Sequence, residues 1–244
     1  MTKNNLNAII FAVAIVLSAV FLGRAYVNRS KKDGEISVTG LGKKDFTSDL
    51  IIWDATFVEE AYDLKEAYQQ LKQAKQLIEK YLTNKGVPDS QIVFEAVDVA
   101  KNTRRLYNER GNYMGEEFAG YRLRQQFTIE SGEVEKIEQL SREITDLLNQ
   151  GVTLYSESPR YYYTKLADLK IEMISRATED ARIRAEKIAE NSGGVLGKLK
   201  SAKMGVFQIT GQNSNENYSW GGAFNTSSKN KTASITMKLV YQIK

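Results

Sequence analysis

Ala177-Thr-Glu-Asp-Ala-Arg-Ile-Arg-Ala-Glu-Lys-Ile-Ala-Glu-Asn-Ser-Gly-Gly-Val-Leu-Gly197 is the stretch on which the reading of the fold turns. The spacing predicts a helix from about Ala167 to Asn191, with Ile171, Ile174, Ala177, Ala181, Ala185, Ile188 and Ala189 on one side. Gly193-Gly194 ends it, because glycine takes up the left-handed turn that closes a helix and gives little reason to continue one. Lys198 to Thr210 then reads as a strand. A stripe made largely of alanine lets a helix backbone lie close to a sheet, so this segment predicts helix packed on sheet.

The flanking segments supply the sheet. Ala233, Ile235, Met237, Leu239, Tyr241 and Ile243 alternate with polar residues in the cleanest strand pattern of the chain. Glu35 to Gly40 is a shorter alternating run broken by Gly40-Leu-Gly42, and Asp49 to Glu60 is a longer one with apolar residues on both faces. Asp63 is placed to cap a helix whose stripe runs from Leu64 to Leu82, stopped by Gly86 and Pro88. Gln91 to Ala100 and Tyr121 to Ile129 read as strands joined by a loop from Leu106 to Gly120. A second helix carries Val134, Ile137, Leu140, Ile144, Leu147 and Leu148 up to Gly151, and Pro159 interrupts a broken or doubled strand between Val152 and Tyr163. The expected class is α+β, a mostly antiparallel sheet with helices packed on one face, preceded by a single transmembrane helix.

That transmembrane helix is the run Ala8 to Gly23, which has no charge and only one hydroxyl. Its apolar surface is supplied by Ala8, Phe11, Val16, Leu17, Phe21 and Leu22, among others, and it spans roughly 24 Å at 1.5 Å per residue, close to a bilayer's hydrocarbon thickness. The competing reading is a cleavable signal peptide with Gly23-Arg24-Ala25 at the cleavage site, and the arginine there counts against it. Arg24, Arg29, Lys31 and Lys32 follow the segment while only Lys3 and the terminal amine precede it, which by the positive-inside rule favours a cytoplasmic domain. The chain is thus read as residues 1–33, an anchor with a basic juxtamembrane linker, and residues 34–244, one folded α+β domain.

Composition excludes much chemistry. The sequence has no Cys and no His, which removes thiol nucleophiles, disulfides, thiolate or imidazole metal sites and every Ser-His or Cys-His catalytic pairing. A formal charge of +4 over 244 residues, with acidic and basic side chains interleaved, is unlike a nucleic-acid binder. The expectation is a protein without enzymatic activity, cofactor or metal; the enzymatic routes left open would need Asp, Glu, Lys or Tyr with a strongly shifted pKa. The most distinctive interaction signal is the polar stretch Gly211 to Asn225, which carries Tyr218, Trp220 and Phe224 in a long Asn/Ser/Gly-rich connection.

Ala177 to Gly197, continuing through Lys198-Leu-Lys-Ser201, resembles the signature of the SIMPL-domain family, in which an alanine-rich helix leads through glycines into a strand. Ile36-Ser-Val-Thr-Gly-Leu-Gly42 is similar to that family's opening strand, and Gly120 to Ile129 to its central one. The resemblance implies a cell-envelope protein of the periplasmic or outer-membrane immunogenic type with no recognised catalytic site. Some members are ring- or channel-shaped homo-oligomers, and some are linked to stress tolerance. It favours a domain anchored at the inner membrane and facing the periplasm, with the membrane and further copies of itself as partners. No nucleic acid or known small-molecule ligand is implied. The alternatives are a cleaved, secreted form, a cytoplasmic domain, or a binding module for a small molecule or an anionic membrane surface using Arg24 to Lys32.

Overall fold

A computed structural model describes residues 3–30 and 34–244, with side chains described for 10–27 and 34–244. Lys31 and Lys32, and the side chains of Lys3 and Arg29, lie outside the described residues. The fold is α+β, with helices packed on antiparallel sheet, and its first element is α1 (Lys3–Ser30). The remaining helices are α2 (Leu64–Asn84), α3 (Val134–Glu143) and α4 (Leu166–Asn191). The chain forms two compact units.

One unit comprises Lys43–Glu172 and Phe207–Ser234. Its six-stranded sheet is centred on β2 (Leu50–Ala61), paired antiparallel on one side with β5 (Tyr113–Ser131). β3 (Ile92–Phe94) and β4 (Asp98–Tyr107) pair along the far side of β5, while β6 (Leu154–Ser156) and β7 (Arg160–Tyr162) pair one after the other along β2. The break at Pro159 is therefore one edge served by two short strands, the place where a residue without an N–H is tolerated.

Because side chains alternate along a strand, Ile51, Trp53, Ala55 and Phe57 share one face of β2 and are all fully buried. Leu123, Phe127 and Ile129 of β5 join them, with Trp53 and Phe127 in edge-to-face contact at 5.6 Å. Helix α2 covers this face with Ala67, Leu71, Ala74, Ile78 and Leu82, and α3 adds Val134, Ile137 and Leu140. Each such Leu or Ile contributes on the order of 1.5–3 kcal/mol by leaving water. Asp63 caps α2, its carboxylate accepting the N–H of Lys65 at 2.8 Å and of Glu66 at 3.1 Å. The expected stripe through Leu147 and Leu148 continues past Glu143 as 3-10 turn, leaving Leu147 buried and Leu148 exposed.

Two expectations are corrected in this unit. The stretch Leu106 to Gly120 is ladder rather than loop: Tyr107 faces Tyr113 across a turn closed by the Asn108 carboxamide, which accepts the N–H groups of Arg110 and Asn112. The reading from Gln91 to Ala100 as one strand gives way to β3 and β4, separated by Glu95 to Val97.

The other unit comprises the described residues up to Gly42, Met173–Val206 and Ile235–Lys244. It holds the first part of β1 (Glu35–Thr47), most of α4, β8 (Leu196–Met204) and most of β10 (Asn230–Ile243), in the strand order β1-β10-β8. The buried stripe of α4 here is Met173, Ala177, Ala181, Ala185 and Ala189, whereas Ile188 is 47% exposed. The isoleucines predicted to face inward at 171 and 188 are thus corrected, Ile171 being exposed as well. Two strand glycines explain the choice of small residues: a Cβ on Gly40 would stand 2.1 Å from the Ala177 carbonyl oxygen, and one on Gly42 2.3 Å from that of Met173. Asp180 accepts the N–H of Leu41 at 2.8 Å, fixing strand to helix between those glycines.

The predicted strand from Lys198 to Thr210 is divided into β8 and β9 (Gln208–Gly211). The division falls at Gly205, whose N–H donates to the Thr236 carbonyl at 2.8 Å and where a side chain would meet the Thr236 hydroxyl.

Candidate functional site

The connection between β9 and the start of β10 begins and ends on one antiparallel ladder, Gly211 opposite Lys231 and Gln208 opposite Ser234. Its aromatic residues are displayed outward. Trp220 is 100% exposed, Tyr218 69% and Phe224 51%. Such a long polar connection would be expected to wander in water, yet an inner set of polar side chains holds it.

The Gln208 carboxamide is the central clamp. Its Nε2 donates to the Ser219 carbonyl at 2.8 Å, and its Oε1 accepts the N–H of Ala223 at 2.6 Å and of Ser219 at 3.3 Å. The Glu216 carboxylate accepts the N–H of Gly211 at 3.0 Å and a hydrogen bond from the Asn225 amide. Asn225 in turn accepts the Ser228 N–H at 2.8 Å, and its own N–H donates to the Ile209 carbonyl at 2.9 Å. Phe224 is thereby laid alongside β9 in a short parallel bridge with Ile209.

The base of the loop is dry. Lys231 is 1% exposed, and its ammonium donates to the Tyr161 carbonyl at 2.5 Å. Burial pushes its pKa down to about 8, partly opposed by the negative charge of Glu216. Tyr161 holds the returning chain as well, its N–H donating to Thr226 at 2.7 Å, and its ring is buried in the core. Lys229 reaches Glu138 at 2.6 Å, and that hydrogen bond holds the Glu138 carboxyl below the usual range.

The neighbouring carboxylates of the β4–β5 ribbon do not converge. Glu116 and Glu117 are consecutive on β5 and so point to opposite faces, one toward Thr103 and Arg105, the other toward Arg104. On the face of the sheet away from the helices, Thr56, Val58, Arg122, Arg124, Tyr155 and Glu157 line an open groove of about 210 Å³.

The anchor residues lie on α1. Phe11, Val16, Leu17, Phe21 and Leu22 are 57–78% exposed, and none of Ile10–Val27 is buried. The backbone of Ala8 belongs to the same helix; its side chain lies outside the described residues. The helix is long and apolar enough to cross a membrane.

With β1, β5, α4 and β10 in place, the comparison with known families becomes decisive: the family model SIMPL, described as "Protein of unknown function (DUF541)", matches residues 36–241. The chain belongs to the SIMPL family. The matched span begins at the first strand and leaves α1 outside it, so the SIMPL domain here follows an N-terminal apolar helix. No curated protein matches the chain.

The aromatic trio was legible as a composition anomaly. The clamps at Gln208, Glu216 and Asn225 and the buried Lys231 were not, because a polar residue in a polar segment carries no mark of the backbone group it will meet several residues away.

Proposed function

We propose that this chain is a non-enzymatic, membrane-anchored envelope protein whose SIMPL domain acts as a homo-oligomeric scaffold, with α1 in the inner membrane and the domain in the periplasm. The observation that carries the reading is α1: a helix with no charge between Lys3 and Arg24 and no buried residue from Ile10 to Val27 is unfavourable in water and favourable in lipid. The family resemblance, which draws on residues 36–241, supports the periplasmic side against a handful of charges after α1.

Self-association is supported by the far part of β4 and β5. From Asn102–Gly120 to Tyr107–Tyr113 the two strands pair, among the described residues, only with each other, and Tyr107, Tyr113 and Met114 stay more than half exposed. A two-stranded ribbon is marginal in water by itself, and its free edges invite another strand. Arg104 is matched by Glu117 and Arg105 by Glu116, while Tyr107, Tyr113 and Met114 stand exposed beside the polar turn Asn108 to Asn112. The family resemblance extends this reading to a ring- or channel-like arrangement with a part in stress tolerance.

Light scattering on the detergent-solubilised full chain tests the scaffold. A protein mass of several copies is expected, and one chain per particle at high concentration would overturn it. A second reading, binding of a small anion, is favoured by the groove at Arg122 and Arg124. There the Arg124 guanidinium donates to the Thr56 hydroxyl at 3.3 Å, while Arg122 pairs with Glu60 at 3.4 Å and Glu157 lines the same groove.

A further inference from the structure

We propose that the β9–β10 loop is a preformed binding platform for an uncharged, polyhydroxylated glycan, with Trp220 as the stacking surface. Two sets of polar side chains have separate tasks in this loop. The inner set, Gln208, Glu216 and Asn225, is consumed in holding backbone N–H and C=O groups. The outer set, Asn213, Asn215, Asn217, Tyr218 and Trp220, is exposed, and its side chains make no hydrogen bond among the described residues. A loop whose shape is fixed in advance loses little conformational freedom on binding, which is the condition for a shallow surface to bind at all.

The chemistry of the outer set selects the ligand. Each carboxamide offers two donors and an acceptor, the complement of neighbouring sugar hydroxyls. The indole of Trp220, open on every side, presents a negative face to the C–H groups of a pyranose ring. Tyr, Ser, Gly and Asn beside a Trp is also the composition of adaptable recognition loops.

Charge argues against the other occupants. Between Gly211 and Ser228 there is no Lys or Arg, and the one acid, Glu216, is engaged inside the loop, so the platform has no charge to offer an anionic bilayer or polyanion. The nearest cations are withdrawn, Lys229 to Glu138 and Lys231 into the interior.

The chain contains two tryptophans, and the other, Trp53, is fully buried, so Trp220 is a built-in reporter. The experiment uses the full chain in a detergent without sugar head groups. Tryptophan emission and acrylamide quenching are followed against soluble β-1,4-linked N-acetylglucosamine oligomers and maltooligosaccharides, with retention on an insoluble glycan in parallel. The proposal requires a saturable blue shift and loss of quenching with at least one glycan, and loss of both the shift and the retention in Trp220→Ala and Tyr218→Ala. Both replaced residues are exposed, and unchanged thermal unfolding checks that each variant is folded. No response to any glycan, retention that survives Trp220→Ala, or a shift produced only by phosphatidylcholine vesicles would each overturn it, the last assigning the loop to a bilayer surface.

Discussion

The carbonyl oxygen of Ala177 occupies the space that a side chain on Gly40 would need, at 2.1 Å from the ideal Cβ position. Gly40 therefore acts as a socket for the helix backbone, and the obstacle is main chain, which cannot swing aside. Gly40→Ala is expected to destabilise the domain by roughly 2–4 kcal/mol through overpacking, and Gly40→Val by more. Gly23→Ala, where an added Cβ meets nothing within 4 Å, serves as the neutral control. Urea denaturation of the three variants checks this.

The neighbouring contact is polar. The hydrogen bond from the Leu41 N–H, followed by Arg184, holds the Asp180 carboxyl below its ordinary pKa. A depressed carboxylate contributes stability above its unfolded pKa and loses that contribution as pH falls through the folded value. Asp180→Ala should cost about 1 kcal/mol at neutral pH, the usual worth of one hydrogen bond, and the difference from wild type should shrink as pH falls below the unfolded carboxylate value of roughly 3.9. Unfolding midpoints measured across that range test the sign.

These two contacts show what was readable in the sequence. Gly40-Leu-Gly42 and the alanines of α4 stood out as separate patterns; the alanines were read correctly as a close-packing helix, whereas the glycines, read as a break, lie inside the continuous strand β1. That they meet was not visible. The inward side of α4 was also misjudged, because Ile171 and Ile188 looked like better core residues than a row of alanines, whereas a helix seated on strand glycines has room only for the alanines. The alternation in β10 was plain, with Ile235, Met237, Leu239 and Tyr241 buried on one face, whereas β2 is buried on both faces and carries apolar residues on both. The β4–β5 ribbon has water on both faces, so no alternation was selected and its ladder read as loop.

Lys231 gives a prediction at alkaline pH. Its folded pKa of about 8 lies below the unfolded value of roughly 10.4, so the unfolded chain binds the extra proton between them and stability rises with pH through that window. Below the folded value the full cost of the buried charge is present. Lys231→Met keeps the aliphatic stem and removes the titrating group. Its unfolding midpoint should lack the rise that wild type shows between about pH 8 and 10.4.

Gln208→Ala removes the clamp that holds three backbone groups of the loop. A loss of roughly 1–3 kcal/mol is expected from the groups left without partners, concentrated in the loop instead of the whole domain. Hydrogen exchange should accelerate at Ser219 and Ala223, while the amides of β2 and β5 remain protected.

Replacing Asn102 to Gly120 by a two-residue turn removes the exposed ribbon and leaves β2, the part of β5 paired with it (Tyr121–Ser131) and their helices in place. The scaffold reading predicts that this variant, solubilised as the full chain, falls from several copies to one. A wild type of several copies with an unchanged deletion variant would place the subunit contact elsewhere.

The central claim is that α1 fixes the SIMPL domain to a membrane with its loops outside the cytoplasm. The chain has no cysteine, so Ser214→Cys creates a single reactive site on an exposed loop. Labelling of intact spheroplasts with a membrane-impermeant maleimide, followed by alkaline extraction of the membranes, reads both parts at once. The account predicts a labelled chain retained in the membrane fraction at full-length mass. Labelling only after lysis, or release of a labelled chain shortened by the N-terminal segment, would contradict it.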